Sequence, residues 1–301
     1  MINYLKDFFD EYEFESKERS ALAMAYQRIC ESAKARSRFC ELIDGYKRDV
    51  KAITLESETE VNAIAAAAGV NKYTAALLTV ICLSKTLRER LARIGLSKKV
   101  IYNTLADFKI KMRTCESLFG IVGTHVFYWY VRFFELRLFA LGRLQFELTN
   151  YSGDLYEKGD KRVAPGDRIL SVHIPDDGTP LEERAANASY REAKKLFCAL
   201  LGVSDIPFYC NSWLLFSKNR EFLDPKSNII KFMNRYDVIK ENVFRKDKND
   251  AIPFLFRMPS DTDPAALPEK SSLQRKYKEH LLADGRMGAG IGIMFLEENT
   301  K

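Results

Sequence analysis

The chain has 301 residues, which is more than a single hydrophobic core usually accommodates and enough for two domains. Hydrophobic residues make up 47% and charged residues 29%, a balance typical of globular proteins. This composition excludes a wholly disordered chain, a collagen-like repeat and a coiled-coil rod. The 47 basic and 41 acidic side chains leave a net charge of +6, which by itself indicates no particular partner.

The N-terminal residues and the cysteines indicate a cytoplasmic protein. Residues 1–7 show no basic segment followed by an apolar one, so we expect no signal peptide. The most apolar stretch, residues 119–141, is interrupted by charged residues, and we therefore predict a buried helix there and no membrane anchor. The six cysteines have no metal-ligand or redox-motif spacing, as expected for reduced thiols packed as small apolar residues.

The first half of the chain, taken as residues 1–141, has the periodicity of helices. Apolar residues from Ile101 to Phe119 recur at spacings of four, three, four, three and four, which places them on one helical face. Ser57 and Glu60 have the spacing of a capping box, and other polar residues and glycines divide the region further. The predicted helices lie within 16–34, 57–69, 71–94, 97–120 and, rich in aromatic residues, 124–141.

The period changes at Gly142. Residues 143–148 alternate polar and apolar, as in a strand with Leu144, Phe146 and Leu148 on one face. Further strands are predicted at 168–174, 208–216 and 288–297, a polar loop at 151–167, helices at 185–201 and 271–282, and helical or extended pieces at 227–233, 236–244 and 251–258. Strands joined both by short loops and by helices favour an α+β domain with a mixed sheet over residues 142–301.

Common catalytic and nucleotide-binding motifs are missing. The sequence has no GxxxxGK[ST] phosphate loop, no GxSxG nucleophile elbow and no HExxH, and with three histidines in all we predict no metal site. Four glycines near the C-terminus follow a helix and precede a strand, which is the reverse of the dinucleotide-binding fingerprint. We interpret them as sites of a tight turn and of close backbone approach. They are Gly285, Gly288, Gly290 and Gly292.

Four segments carry a resemblance to a known family. They are Arg168-Ile-Leu-Ser-Val-His-Ile-Pro175 with the following Asp-Asp-Gly-Thr-Pro180, then Phe208-Tyr-Cys-Asn-Ser-Trp-Leu-Leu215, Gly142-Arg-Leu-Gln-Phe-Glu147 and Ser271-Ser-Leu-Gln274. With them, the chain resembles bacterial acyltransferase domain-containing proteins, which join a helical N-acyltransferase N-terminal domain to a GNAT-like C-terminal domain. The resemblance implies an all-helical domain at 1–141, a GNAT-like mixed-sheet acyltransferase domain at 142–301, and acetyl-CoA or another acyl-CoA as co-substrate.

In the GNAT fold two neighbouring parallel strands splay apart, the thioester arm of acyl-CoA enters between them, and the pyrophosphate binds before the next helix. The resemblance places these strands at 169–174 and 208–216 and the pyrophosphate turn at 175–180. The donor-binding residues that it implies are Val172, Ile174, Asp177, Gly178, Asn211 and Ser212. The turn departs from the usual [Q/R]xxGx[G/A] pattern, because Asp176 and Asp177 would repel a pyrophosphate. Either they turn outward, or the donor binds differently, or the domain has kept the fold without the donor.

Acyl transfer to an amine needs a base for the amine and a proton for the departing thiolate. His173 ends the first of the two strands and is the candidate base, because imidazole accepts protons near neutral pH. A structural histidine bonded to a loop carbonyl is the alternative. Tyr236 is the candidate acid for the thiolate, by its place in the fold that the resemblance implies.

Three further side chains are candidates for contact with substrate. Arg143 and Glu147 project from the polar side of their strand, and a solvated sheet face explains them equally well. Cys210 could line the pocket or carry an acyl group covalently. The covalent role needs an activated thiolate, and no basic residue adjoins Cys210 in the sequence, so a buried cysteine is the favoured interpretation.

The sequence thus predicts a GNAT-type N-acyltransferase that transfers an acetyl or other acyl group from acyl-CoA to a small or protein amine. The alternative is a module that has kept the GNAT fold and binds acyl-CoA, or a partner, without turnover. Residues 85–113 hold nine basic side chains against Glu89 and Asp107, a pattern that could contact nucleic acid. Since few aromatic residues are interleaved, a solvated helical surface is the favoured interpretation.

Overall fold

Helices fill the first half of the chain, and several begin or end at polar residues and glycines that the sequence indicates. In the computed structural model, which describes residues 1–245 and 248–297, the Asn71 side chain accepts a hydrogen bond from the Tyr73 N–H at 2.8 Å. Ser97 accepts the Val100 N–H in the same way, and Gly120 ends that helix with a φ of 67°. The helices are α1 (Ile2–Glu11), α2 (Ser16–Glu31), α3 (Ala33–Arg48), α4 (Ser57–Ala68), α5 (Lys72–Arg93), α6 (Lys98–Phe119) and α7 (Phe127–Phe134).

Two details of these helices differ from the prediction. The helix expected over residues 16–34 ends at Glu31, because Ser32 adopts an extended conformation and caps α3 instead. The predicted capping box at Ser57 is wrong: α4 begins there, but the Ser57 hydroxyl accepts the Thr54 N–H, which lies before the helix. α1 and α3 have no counterpart of their own among the predicted helices.

The aromatic helix predicted over 124–141 is the largest error in this half. α7 ends at Phe134, Leu136 has a φ of 57°, and the chain then forms the strand β1 (Leu138–Leu141). β1 is buried at every position and α7 at most of its positions. Residues 127–141 are apolar except for Arg132, Glu135 and Arg137, and so few polar positions do not reveal a change of period, so periodicity could not separate the helix from the strand.

α5 is the helix around which the first half of the chain packs. Its residues 75–84 are all buried, and it contacts each of the other helices named above. The apolar stripe predicted on α6 is buried from Ile101 to Cys115, whereas Phe119 at its end is 48% exposed. Among the described residues no single helix has the length and apolar composition needed to cross a bilayer, and α4 and α5 reach it only when taken together across a bend of 116°.

Basic side chains of α5 and α6 are paired within the first half of the chain. Arg88 forms an ion pair with Glu11 at 2.5 Å, and Arg90 donates to the Tyr46 carbonyl at 2.6 Å. Lys109 donates to a main-chain carbonyl at the end of α1 at 2.9 Å. These bonds tie α5 and α6 to α1 and α3, and they give several of the cations in residues 85–113 a structural role.

The second half forms a mixed sheet, as predicted. Its strands are β2 (Leu144–Asn150), β5 (Arg168–His173), β6 (Phe208–Ser212), β7 (Asp237–Val243) and β8 (Gly288–Met294), and β3 (Tyr156–Lys158) and β4 (Lys161–Val163) form a separate hairpin. The sheet order is β1-β2-β5-β6-β8-β7, with β5 and β6 parallel and the pairs β2–β5, β6–β8 and β7–β8 antiparallel. The hairpin lies where residues 151–167 were predicted as a loop, because strands of three residues are too short to show alternation.

By its contacts the chain divides into two compact units, Met1–Phe139 and Ala140–Lys301. The division predicted from the sequence, between residues 141 and 142, lies two residues after the division between Phe139 and Ala140. The helices of the second unit are α8 (Glu183–Leu201), α9 (Asn219–Phe222), α10 (Asn228–Met233), α11 (Ile252–Phe256) and α12 (Ser272–Leu282).

Some predicted ends in the second unit are also wrong. The strand expected over 208–216 ends at Ser212, where a 3₁₀ turn begins, and the last strand ends at Met294. The piece predicted at 227–233 as helical or extended is the helix α10, which Ser227 caps by accepting the Ile230 N–H at 3.3 Å. In both strands the apolar residues run on past the last ladder pair, so the residue pattern alone overestimates strand length.

The C-terminal glycines allow main chain to approach β8 closely, as interpreted from the sequence. A Cβ atom at Gly290 would lie 2.3 Å from the carbonyl oxygen of Leu215, in the turn that follows β6. One at Gly292 would lie 2.8 Å from the Cβ of Tyr236. Both distances are shorter than real contacts permit, so the segments after β6 and before β7 reach these positions only because β8 has no side chain there.

Gly290→Ala is expected to lower the free energy of unfolding by about 1–3 kcal/mol, because the added methyl group overlaps main chain rather than a movable side chain. Chemical denaturation measures the change. Ala289→Ser, at the neighbouring position of the same strand, is the matched control and should shift stability by less than about 0.5 kcal/mol. Equal stability of Gly290→Ala and the unmodified protein would show that residues 213–216 are not held against β8.

Candidate active site

β5 and β6, the parallel neighbours at the centre of the sheet, are paired over only two positions. Leu170 is opposite Phe208 and Ser171 is opposite Tyr209, and the register goes no further. Each strand nevertheless continues beside its other neighbour: β5 pairs with β2 as far as His173, and β6 pairs with β8 from Phe208 to Ser212. The two strands therefore separate beyond Ser171 and Tyr209. We call the opening between residues 172–173 and residues 210–212 the gap.

The two faces of the sheet give the gap two different linings. Phe208 packs edge-on against Tyr190 of α8, with ring centroids 5.0 Å apart, so Phe208 faces α8. Because side chains alternate along a strand, Val172, Cys210 and Ser212 also lie on this face. The opposite face carries Ser171, His173, Tyr209 and Asn211 at the gap, with Gln145 and Glu147 on β2 beside them.

His173 and Glu147 meet on the polar face. The His173 Nε2 lies 3.0 Å from the Glu147 Oε2, although the two residues are not directly opposite each other in the register of β2 and β5. The Glu147 side chain is 7% exposed and the His173 side chain 25% exposed. A carboxylate in contact with one ring nitrogen fixes the tautomer and the orientation of a histidine. The pair therefore has the arrangement of a general base and its orienting carboxylate.

This pairing changes the interpretation of both residues. Glu147 was predicted to face substrate or solvent, but its carboxylate is buried and contacts His173. For His173 the structural alternative was a bond to a loop carbonyl, and the Glu147 carboxylate is one partner of its ring. Sequence reasoning placed both side chains on the polar face and missed their contact, because the register between β2 and β5 is not visible in the residue pattern.

The turn between β5 and α8 is held by two arginines. Arg143 donates to three of its carbonyl oxygens, those of Pro175 at 3.1 Å, Thr179 at 2.9 Å and Pro180 at 3.2 Å. Its side chain is 9% exposed and lies 3.6 Å from the Asp177 carboxylate. Arg143 was predicted to face substrate or solvent, and this is corrected: its guanidinium is directed into the turn. Burial lowers its pKa, while Asp177 and then Asp176 act in the opposite direction.

The two aspartates of the turn are both paired. Asp177, besides its contact with Arg143, accepts bonds from the Thr179 N–H at 2.9 Å and hydroxyl at 2.7 Å. Asp176 forms an ion pair with Arg257 at 2.9 Å. Gly178 is exposed with a φ of 81°, a conformation that glycine adopts without strain. The repulsion expected between these carboxylates and a pyrophosphate is therefore reduced by two nearby cations. Ile174, also predicted to bind the donor, is partly buried just past the end of β5.

Tyr236 and Cys210 lie together beneath the gap on the side of α8. The Tyr236 hydroxyl is 2.6 Å from the Tyr190 hydroxyl, and both rings are buried. Burial, followed by the nearby Tyr190 and Cys210, raises the pKa of Tyr236 well above its usual value. Burial also raises the pKa of the Cys210 thiol to about 12. Tyr236 thus stays protonated and can donate a hydrogen bond, and Cys210 is a core residue without thiolate character.

The described residues contain no group of three or more His, Cys, Asp and Glu side chains arranged to hold a metal ion. What the arrangement offers instead is an opening lined by main chain, an imidazole–carboxylate pair on one face and two proton-bearing tyrosines on the other. These are the components that proton transfer next to a bound acyl group requires.

Known structures share this fold. An acyltransferase in complex with decanoyl-CoA matches with a TM-score of 0.71 and 21% sequence identity, and an acyltransferase in complex with decanoyl-CoA and teicoplanin with 0.70 and 19%. An acyltransferase mutant in complex with octanoyl-CoA matches with 0.68 and 19%. Each match covers 97% of this chain and 87% of that one. No curated protein sequence matches the chain significantly.

Two family descriptions match the sequence itself. The N-acyltransferase N-terminal domain matches residues 3–136, and the GNAT-like C-terminal domain matches residues 138–294. The resemblance, the fold class and the acyltransferase class predicted from the sequence are thereby confirmed. The chain belongs to the acyltransferase family in which an N-acyltransferase N-terminal domain is followed by a GNAT-like C-terminal domain.

Proposed function

We propose that this protein transfers an acyl group from acyl-CoA to an amine, with the thioester arm of the donor lying in the gap between β5 and β6. The observation that carries the proposal is the parallel ladder that ends after two pairs while both strands continue. Main-chain groups of Val172 and of residues 210–212 that a longer ladder would join are then available to the two amides of pantetheine. Val172, Asn211 and Ser212 are the donor-binding residues in this arrangement.

For the acyl group we propose a medium-length chain in addition to acetyl. Two of the structures with this fold hold decanoyl-CoA and one holds octanoyl-CoA, and acceptance of such chains by this protein is an inference from them. One of them also holds teicoplanin. For the acceptor we propose a primary amine on a small molecule or a protein, since amide formation is the reaction named by the family.

The proposed chemistry uses the two faces of the gap differently. On the polar face His173 removes a proton from the amine, and Glu147 holds the imidazole in position. The amine nitrogen bonds to the thioester carbonyl carbon, the carbon–sulfur bond breaks, and the sulfur of CoA takes up a proton equivalent to the one that His173 removed, which returns the imidazole to its neutral form through solvent. Tyr236, protonated and close to the gap, is the group proposed to stabilise the departing sulfur.

A non-catalytic acyl-CoA-binding module was the alternative, and the acidic turn was its main support. Both aspartates have arginine partners, which reduce the repulsion of a pyrophosphate, so the acidic turn is no longer an argument against donor binding. The imidazole–carboxylate pair at the gap favours an enzyme over a binding module.

Binding of the donor is the first test. Isothermal titration calorimetry with CoA, acetyl-CoA, octanoyl-CoA and decanoyl-CoA should show binding by each, with affinity rising with chain length if the acyl group is buried. Release of free thiol on adding a panel of amines would then demonstrate turnover. Absence of binding by all four compounds would contradict both the enzyme and the acyl-CoA-binding module.

Replacement of the imidazole is expected to affect turnover more than binding. His173→Ala should lower kcat by about 10²-fold, because general base catalysis contributes at least that factor. Glu147→Gln removes a charge-assisted hydrogen bond of about 1.5 kcal/mol, and kcat should therefore fall by about tenfold.

Glu157→Gln, the same substitution on the exposed hairpin, serves as the control in these kinetics and should leave kcat within twofold, roughly, of the unmodified enzyme. Unchanged kcat in His173→Ala at saturating donor and amine would remove His173 from the mechanism.

Direct transfer, without an acyl-cysteine, follows from the state of Cys210. A thiol that is fully buried with a pKa of about 12 should resist iodoacetamide at pH 8, whereas the exposed Cys40 should react. Mass spectrometry of the digested protein reads out both sites. Cys210→Ala should retain acyl transfer, and loss of transfer in a folded Cys210→Ala protein would point to a covalent intermediate instead.

A further inference from the structure

We propose that Arg143 is a positioning residue for the donor: with Arg257, it shapes the turn formed by residues 175–180 and neutralises it, so that this turn accepts the pyrophosphate of CoA without the glycine-rich sequence usual in GNAT enzymes. The proposal rests on the proposed function, because it concerns how the same donor is held. It assigns a role to Arg143 different from the contact with substrate that its sequence position suggests.

The main chain of Arg143 is itself fixed to the helix that follows the turn. Its N–H donates to the Ser189 hydroxyl at 2.7 Å, and that hydroxyl donates to the Ala185 carbonyl in the first turns of α8 at 2.9 Å. Gly142, which precedes it, has a φ of 65°, and a Cβ there would lie 2.6 Å from the Ser189 hydroxyl oxygen. The bend between β1 and β2 therefore positions Arg143 beside the start of α8.

From that place the guanidinium determines which way the peptide groups of the turn face. Its three hydrogen bonds hold the carbonyl oxygens of Pro175, Thr179 and Pro180 towards Arg143. In a trans peptide the N–H points opposite to the carbonyl, and the described chain has no cis peptide. The N–H groups of Asp176 and Leu181 consequently point away from the guanidinium, and main-chain N–H groups are the donors with which a turn binds an anion.

The same two arginines correct the charge of the turn. Arg143 lies 3.6 Å from the Asp177 carboxylate, and Arg257 lies 2.9 Å from the Asp176 carboxylate. Arg257 stands at the end of α11, so the two cations come from separate elements and approach the turn from different parts of the chain. Each aspartate carboxylate is thus balanced by one arginine, and a negatively charged pyrophosphate beside the turn meets less repulsion than it would from two unpaired carboxylates.

Donors with and without the pyrophosphate provide the test. Arg143→Gln should raise the KM for octanoyl-CoA and the calorimetric Kd for CoA by about tenfold or more, since a hydrogen-bonded charge is lost. The KM for S-octanoyl-pantetheine, which has the same thioester arm and no pyrophosphate, should change much less. A merely structural role would weaken both donors alike.

Arg162→Gln, on the hairpin and paired only with Glu157 among the ion pairs described, is the matched control and should alter neither KM. If Arg143→Gln fails to fold, Arg257→Gln makes the same test through Asp176. Equal weakening of both donors, or no weakening of either, would overturn the proposal. If the unmodified enzyme uses octanoyl-CoA and S-octanoyl-pantetheine equally well, the proposal about the turn is also overturned, whereas the proposed function is retained. An enzyme that uses neither donor would overturn both.

Discussion

The ladder between β5 and β6 stops at Ser171 and Tyr209, although neither strand ends there. Within a sheet, main-chain donors and acceptors are normally consumed by the neighbouring strand, so a place where two central strands part is a place where they can serve a ligand. The other features of the second unit are arranged around this parting. His173 and Glu147 lie on one face of it, Tyr236 and Cys210 on the other, and the turn with its two arginines closes one end.

The sequence predicted β2, β5, α8, β6, α12 and β8 in their order, because alternation and helix length leave a clear trace in the longer elements. It also placed His173 at the end of a strand and recognised the departure of the Asp176–Asp177 turn from the usual motif. What it could not reveal were contacts that depend on register or on distant chain. The partner of His173 lies 26 residues away on β2, and the partner of Asp176 lies 81 residues away at Arg257.

The errors in the first unit have a different physical origin. Where a segment is half exposed, as α6 is, the period of its apolar residues identifies both its type and its buried face. Where a segment is buried at every position, as β1 is, every residue is apolar and the period disappears, and the mostly buried α7 before it has few polar residues to mark its end. Burial, which makes these elements indispensable to the core, is therefore also what hides their secondary structure from sequence reasoning.

The glycines of β8 have a consequence for the energetics of binding. Because Gly290 and Gly292 let the chain after β6 and before β7 lie directly on β8, β6 is fastened to its outer neighbour along its full length. A strand anchored in this way has little freedom to swing inward and close against β5. The cleft is then a permanent part of the folded protein, and a ligand entering it is spared the loss of conformational entropy that opening or ordering a mobile strand would impose.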